Sequence, residues 1–136
     1  RRLGGAAISA PAGLGRGMIV IEGGTLAGVA AGLRRVIGAL GRAGSCDGEP
    51  LLNLVCTCAG ERWRLIVFPR LKHRPDAYFR EGTEQLLVSP GAVDMGGIVV
   101  TPREKDFLAL DGALIADIYR EVAFDDAATA ALVAAL

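Results

Sequence analysis

Apolar and polar positions in the first third of the chain predict a strand followed by a helix. Residues 18–21 form a short apolar run, which predicts a buried strand. After Thr25, a predicted N-cap, apolar residues recur at helical spacing until Gly41 ends the pattern. Gly28 and Gly32 lie inside this helix, where each costs up to about 1 kcal/mol relative to alanine. We therefore expect this helix to approach a sheet closely.

The middle of the chain predicts a β-hairpin. Residues 51–58 and 62–68 are two runs of high β propensity, separated by three residues that include Gly60. A short glycine-containing loop between two such runs joins antiparallel neighbours. Pro69 ends the second run, and a polar, irregular segment follows it.

Later residues predict further strands and two helices. Residues 86–88 and 97–100 are short apolar runs that predict strands. Thr101 as N-cap, Pro102 at the first helical position and Glu104 three after the cap form a capping-box pattern for a helix extending to about residue 121. The predicted buried stripe of that helix is Phe107, Leu110, Leu114, Ile118 and Val122. A last short helix is predicted after Asp125 and Asp126.

These elements predict one domain of α+β class. Residues 1–17 are rich in Gly, Ala and Pro and predict a flexible lead-in or linker, while residues 18–136 form the domain. The predicted order is β, α, ββ, loop, ββ, α, α, which favours a mostly antiparallel sheet packed against helices. Because the chain begins with Arg1 rather than methionine, we expect it to be a portion of a longer protein.

Composition narrows the classes of function. The 136 residues contain 15 Lys and Arg against 15 Asp and Glu, a balance without the basic excess of a dedicated nucleic-acid binder, so no nucleic-acid partner is expected. No apolar run approaches the ~20 residues of a spanning helix, so no membrane association is expected. Three cysteines and one histidine indicate a reduced, cytoplasmic protein and exclude mechanisms that need two histidines of this chain.

Neither the glycine motifs nor the cysteines predict a cofactor or metal site. Gly13-x-Gly15-x-Gly17 precedes the first strand instead of following it, which is the wrong place for a dinucleotide fingerprint. Gly23-Gly24-Thr25 lies between a strand and a helix, and its alternatives are an anion site and a tight turn with an N-cap. Cys46, Cys56, Cys58 and His73 lack the paired spacing of zinc sites. We expect structural thiols, no metal and no cofactor.

Basic residues cluster after the predicted hairpin. Residues 62–80 contain six basic side chains and one acidic side chain, for a net charge of +5. Within this stretch Arg70, Lys72 and Arg74 form a basic loop where a strand ends, a common position for ligand contacts. Arginine and lysine suit phosphate oxygens, so these three are candidate phosphate ligands. The alternatives are a solvated loop paired with nearby acids and a protein contact.

Three aspartates are weaker candidates for functional residues. Asp106 and Asp111 flank a predicted helix start, where a carboxylate needs no catalytic role. Asp94 lies in an apolar stretch, so either it is buried and hydrogen bonded or it lines a site.

Residues 88–107, with the sequence Val-Ser-Pro-Gly-Ala-Val-Asp-Met-Gly-Gly-Ile-Val-Val-Thr-Pro-Arg-Glu-Lys-Asp-Phe, carry a family resemblance. They resemble the C-terminal part of the GDP-L-galactose phosphorylase-like proteins and their bacterial relatives, in the histidine-triad and galactose-1-phosphate uridylyltransferase-like superfamily. Residues 16–24 and the predicted hairpin also resemble this family, so the resemblance covers about residues 15–136.

The resemblance implies nucleotidyl transfer or phosphorolysis on a nucleotide sugar or a dinucleoside polyphosphate. In the family a histidine of a His-x-His-x-Gln/His motif attacks the α-phosphorus. That motif is absent here, and His73 has no second histidine, so no catalytic residue is assigned. The resemblance therefore implies a histidine-triad-like half that needs an upstream segment, with a homodimer as a further possible partner. The alternative is a non-catalytic binding or protein-interaction module on the same scaffold.

Overall fold

The computed structural model describes residues 1–3, 5–43 and 49–136 and contains one antiparallel sheet with helices on both faces. The strands are β1 (Arg2–Leu3), β2 (Ala6–Ser9), β3 (Ile19–Gly23), β4 (Leu52–Ala59) and β5 (Arg62–Pro69). The helices are α1 (Leu26–Arg42), α2 (Ala92–Met95), α3 (Glu104–Ala109), α4 (Gly112–Val122) and α5 (Asp126–Ala134). Two 3₁₀ turns, Asp76–Phe79 and Gly82–Glu84, lie between β5 and α2. The predicted α+β class is confirmed.

The sheet has the strand order β1-β2-β3-β5-β4, and every neighbouring pair is antiparallel. The predicted hairpin is confirmed as β4 and β5, which pair along their whole length from Leu52 opposite Pro69 to Ala59 opposite Arg62. β3 then pairs with the other side of β5, so β4 forms one edge of the sheet.

One face of the sheet packs under α1 and α5 and forms the main core. The side chains that meet there are aliphatic: Ile8, Ile19, Ile21, Leu65 and Val67 from the sheet, and Val29, Val36, Leu40, Leu132 and Val133 from the helices. The predicted cap of α1 is confirmed, because the Thr25 hydroxyl accepts a hydrogen bond from the Gly28 N–H at 3.1 Å. The predicted close approach is also confirmed: a Cβ at Gly32 would lie 2.8 Å from Cγ2 of Ile21.

The opposite face packs under α2 and α4. Phe68, Met95, Tyr119 and Ala123 form its buried centre. A smaller cluster of Leu86, Val88 and Ile118 continues this core beneath the irregular segment before α2.

The N-terminal segment corrects the prediction of a flexible lead-in over residues 1–17. β1 and β2 extend the sheet beyond β3, and Ile8 is fully buried under the helices. Their pairing partners lie later in the chain, so the short, alanine-rich stretch carried little local strand signal. The division into a linker and a domain at residue 17 is therefore wrong for β1 and β2.

The prediction of strands at residues 86–88 and 97–100 is also wrong. Both stretches are irregular, although Leu86 and Val88 are buried as expected of apolar residues. Leu86, Val88 and Val99 pack in the small cluster around Ile118 without joining the sheet, whereas Ile98 and Val100 are exposed. An apolar run therefore does not by itself predict strand pairing or complete burial.

The long helix predicted over residues 101–121 is two helices. α3 begins at Glu104 with Arg103 as its N-cap, so Thr101 does not cap a helix. The helix is interrupted before Asp111, which is the N-cap of α4. The Asp111 carboxylate accepts a hydrogen bond from the Leu114 N–H at 2.8 Å. This second N-cap interrupts the predicted stripe, and Phe107 is exposed as a result. The last predicted helix is confirmed as α5, capped by Asp125.

We expect replacement of Gly17 by alanine to lower the free energy of unfolding by about 1–3 kcal/mol, as overpacking does. Gly17 donates its N–H to the Phe124 carbonyl at 2.6 Å. A Cβ there would lie 2.8 Å from that oxygen and 3.0 Å from the Asp125 carbonyl. Urea unfolding of Gly17→Ala measures the loss. Gly24→Ala is the matched control because a Cβ at Gly24 meets no atom within 4 Å. Equal stability of the two variants would contradict this packing role.

Candidate functional site

The basic loop begins where β5 ends, and its first residue is buried. Arg70 is only 4% exposed, although it follows directly after Pro69 at the edge of the domain. Its backbone N–H donates to the Leu51 carbonyl at 2.9 Å and so continues the ladder between β4 and β5. Arg70 also forms an isolated antiparallel bridge with Ala123, just after α4. The loop is thus attached to both the hairpin and the C-terminal helices.

All five N–H groups of the Arg70 guanidinium are used inside the chain. Nε donates to the Val122 carbonyl at 3.2 Å. Nη1 donates to Oδ1 of Asn53 at 2.5 Å and to the carbonyl of Pro90. Nη2 donates to the carbonyls of Lys72, at 3.0 Å, and His73, at 2.8 Å.

Burial and charge at this guanidinium agree with a structural role. Desolvation by burial lowers the pKa of Arg70, and the nearby carboxylate of Asp94 opposes that change. Because every donor has a partner, Arg70 has no N–H to offer a phosphate. The structure therefore does not support Arg70 as a phosphate ligand, and we assign it the role of connecting β4, α4 and the loop before α2.

Lys72 forms ion pairs with two carboxylates. Nζ lies 2.7 Å from Oδ1 of Asp76 and also pairs with Glu121 at the end of α4. The hydrogen bonds with Asp76 and then Glu121 raise the pKa of Lys72, and its ammonium lowers the pKa of Asp76. Asp76 is a nearby loop acid of the kind that the solvated-loop alternative expected, whereas Glu121 is distant in the sequence and replaces acids such as Glu81 and Glu84. An incoming phosphate would compete with both carboxylates.

Arg74 is the exposed cation of the three. Its guanidinium carbon lies 4.3 Å from the centre of the Tyr78 ring, in a cation–π contact. Nε donates to the Ser89 hydroxyl in a long hydrogen bond of 3.4 Å. His73 beside it is also exposed. The basic loop therefore presents Arg74, and in part Lys72, to solvent.

Of the two alternatives for Asp94, the structure shows a buried, hydrogen-bonded carboxylate. It is 8% exposed, and its two oxygens accept hydrogen bonds of 2.8 Å from the N–H groups of Gly91 and Val100. Its own carbonyl accepts from the Tyr119 hydroxyl at 2.6 Å. Asp94 thus ties the loop around α2 to α4.

Asp106 is a buried carboxylate whose importance the sequence did not indicate. It is 0% exposed and accepts from Arg103 Nε at 2.8 Å and from the Leu87 N–H at 3.1 Å. Lys105 Nζ lies 2.9 Å from its other oxygen. The arginine three positions before it, at a helix start, was the only local signal. This group anchors α3 to the irregular segment before α2.

A cleft of about 530 Å³ lies at the other end of β5. Arg2, Arg62, Glu22 and the turn at Gly23 and Gly24 contribute to its lining, and no residue of the basic loop does. Of the two alternatives for Gly23-Gly24-Thr25, the structure shows the turn with the N-cap.

Cys56 and Cys58 are free thiols, both exposed on β4. Cys46 lies outside the described residues. Within residues 1–3, 5–43 and 49–136, no group of three or more His, Cys, Asp and Glu side chains is arranged to hold a metal ion. The same part of the chain has no helix with the length and apolar character needed to cross a membrane.

Comparison of the chain with protein-family models, curated proteins and solved structures finds no match.

Proposed function

We propose that this chain is the C-terminal, non-catalytic part of a nucleotidyltransferase- or phosphorylase-like protein that acts on nucleotide sugars or dinucleoside polyphosphates. The proposal starts from the resemblance of residues 88–107 to the GDP-L-galactose phosphorylase-like proteins. The single histidine, His73, leaves the chain without a His-x-His-x-Gln/His motif, so catalysis belongs to another segment. Free thiols at Cys56 and Cys58 fit a cytoplasmic location.

The observation that carries the proposal is the edge of β4, along which no other strand of the described residues pairs. The Leu51 carbonyl, just before β4, accepts from the Arg70 N–H, just after β5. In this antiparallel register the odd-numbered residues of β4 therefore form their hydrogen bonds with β5. The backbone N–H and C=O groups of the even-numbered residues, Leu52, Leu54, Cys56 and Cys58, consequently point away from β5.

Nothing in the sequence of β4 protects this edge. Its eight residues contain no charged side chain and no proline, the usual devices that prevent strand addition. A strand from elsewhere can therefore continue the sheet. An upstream segment of the same protein is the proposed partner, and a second copy in a homodimer would use the same edge.

Contact with substrate phosphate is proposed for Arg74 and Lys72 only. Arg74 is exposed and oriented by its stacking on Tyr78, whereas Lys72 would have to exchange a carboxylate partner. Because Arg74 is the exposed cation and Lys72 is already paired with two carboxylates, we expect the isolated chain to bind nucleotides weakly.

Because the proposal places catalysis in another segment, it predicts how the isolated chain behaves. Its melting temperature is expected to change by less than about 1 °C with millimolar GDP, ADP, AMP or inorganic phosphate, since only ligand bound to the folded state raises it. Phosphorolysis of a nucleotide sugar should be undetectable. Differential scanning fluorimetry and phosphate release measure the two effects, with Arg74→Ala as the comparison variant. A saturable rise that Arg74→Ala abolishes would support the phosphate contact at Arg74 and contradict only the expected weakness of binding, whereas any phosphorolysis by the isolated chain would contradict the proposal.

The second candidate is a protein-interaction module, favoured by an exposed apolar segment at residues 93–108. Within these 16 residues Ile98 and Phe107 are each 69% exposed and Leu108 is 74% exposed. Val93 and Val100 add two more exposed apolar side chains. Such a concentration is typical of a surface that another protein covers.

The coding sequence before Arg1 distinguishes the two candidates. A His-x-His-x-Gln/His motif there supports the enzyme, because it would supply the missing nucleophile. Its absence supports the interaction module.

A further inference from the structure

Cys56 and Cys58 lie on the same face of β4, two residues apart. Alternate residues of a strand point to one side, and their Cβ atoms are separated by about 6.8 Å. Both side chains are exposed. The Cys58 thiol donates a hydrogen bond to the Gly60 carbonyl at 3.4 Å, which it gives up when the sulfur loses its proton to bind a metal. The two thiols therefore form a pair on a strand that its ladder with β5 holds in place.

The geometry of this pair disfavours a disulfide. A disulfide requires Cβ atoms roughly 3.5–4.5 Å apart, much closer than a regular strand places them. A single atom between the sulfurs makes a longer bridge. With two metal–sulfur bonds of roughly 2.3 Å in line, the sulfurs are about 4.6 Å apart, which the two side chains can reach by rotation about χ1. A bridging metal ion thus suits a pair that a covalent S–S bond does not.

The surroundings select the kind of metal. Cys56 lies opposite Leu65 and Cys58 opposite Trp63, while Leu54 precedes them on the same face of β4. The side chains of these neighbours offer no oxygen or imidazole ligand. In the described part of the chain no group of three or more His, Cys, Asp and Glu side chains could hold a metal ion, so the site does not suit a hard cation such as Mg²⁺ or Ca²⁺. Two thiolates alone are too few for zinc, which takes four ligands in a structural site. Thiolates are soft ligands that suit copper(I), an ion that accepts two of them in a linear arrangement.

We propose that Cys56 and Cys58 form a two-thiolate site for one copper(I) ion. Each thiol loses its proton when its sulfur binds the metal, and the copper stays in the monovalent state throughout, so no oxidant or reductant is needed. The site uses the thiols of Cys56 and Cys58 and none of the basic loop, whereas the proposed strand addition uses the backbone groups of the same strand.

An anaerobic titration with copper(I) and a chromophoric copper(I) chelator as competitor tests the site. The wild-type chain should take one copper(I) per chain from the chelator and no zinc from a zinc indicator. Cys56→Ser and Cys58→Ser should each weaken copper(I) binding at least tenfold, because one thiolate remains. Circular dichroism and the melting temperature should stay unchanged in both variants, since both positions are exposed.

Cys46→Ser is the matched control, the same substitution outside β4, and should retain full affinity. Three results would overturn the proposal: unchanged binding in the Cys56→Ser/Cys58→Ser double variant, lost binding in Cys46→Ser, or one copper(I) per two chains, which would place the metal between molecules.

Discussion

Replacement of Arg70 by methionine is expected to lower the free energy of unfolding by about 3–5 kcal/mol. Methionine keeps a long apolar side chain but removes five donors, which leaves four carbonyls and the Asn53 side chain without their partner. Small domains are stable by only about 5–15 kcal/mol. The variant should therefore be partly unfolded at temperatures where the wild type is folded.

Urea unfolding followed by circular dichroism measures this loss, with Arg74→Met as the control. Arg74 has the same side chain in the same loop but is exposed, so its replacement should cost less than about 1 kcal/mol. Arg70→Lys should also be destabilised, because an ammonium cannot reproduce the planar five-donor geometry. Similar losses for Arg70→Met and Arg74→Met would show that the buried hydrogen bonds do not hold the loop.

This comparison also explains why the candidate phosphate site could be predicted only in part. The sequence identified Arg70, Lys72 and Arg74 as one cluster of positive charge. It could not show that Arg70 turns inward, because its partners are carbonyls of Val122 and Pro90, far away in the chain. A carbonyl acceptor has no side-chain signature. The charge pattern therefore located the basic loop in the sequence, but it did not show which of its cations is exposed to solvent.

In the fold too, elements that depend on neighbouring residues were predictable from the sequence, and elements that depend on distant residues were not. The hairpin of β4 and β5, the capped start of α1 and the helix after Asp125 were predictable because each rests on residues close together in sequence. By contrast, β2 depends on pairing with β3, and the irregular path of residues 86–88 depends on packing against Ile118. Tertiary contacts decided these segments, and local propensity did not reveal them.

The break between α3 and α4 is an intermediate case. The Asp111-Gly112 pair is a recognisable N-cap signal, yet the apolar periodicity ran through it and favoured one helix. The hydrogen bond from Leu114 to Asp111 shows that the cap prevailed. Arg103 likewise joins Asp106 and Gln85, so the start of α3 is set by contacts with the preceding segment and Thr101 has no capping role.

Asp106 is the second position where a single substitution should have a large effect. The hydrogen bond with Arg103, followed by those with Lys105 and the Leu87 N–H, holds the pKa of Asp106 well below its usual range despite the opposing effect of burial. Asp106→Asn keeps the shape but removes the charge that these donors face. We expect the melting temperature to fall by on the order of 10 °C at pH 7.

The pH dependence of stability tests whether the charge of Asp106 is responsible for this effect. A carboxylate whose pKa is lower in the folded state than in the unfolded state, about 3.9, stabilises the fold fully above that value. The contribution disappears as the pH falls toward the folded-state pKa, because the folded protein must then take up the proton. The difference in melting temperature between wild type and Asp106→Asn should therefore be constant at neutral pH and narrow below about pH 4.

Melting curves between pH 7 and pH 2 test this behaviour, with Asp117→Asn as the control for loss of one carboxylate. Asp117 is exposed and pairs with Arg120 at the surface, where an ion pair contributes little. Its replacement should shift the melting temperature by no more than about 2 °C. If the gap between wild type and Asp106→Asn instead persists unchanged to pH 2, the stabilisation comes from packing around residue 106, and the buried charge has no part in anchoring α3.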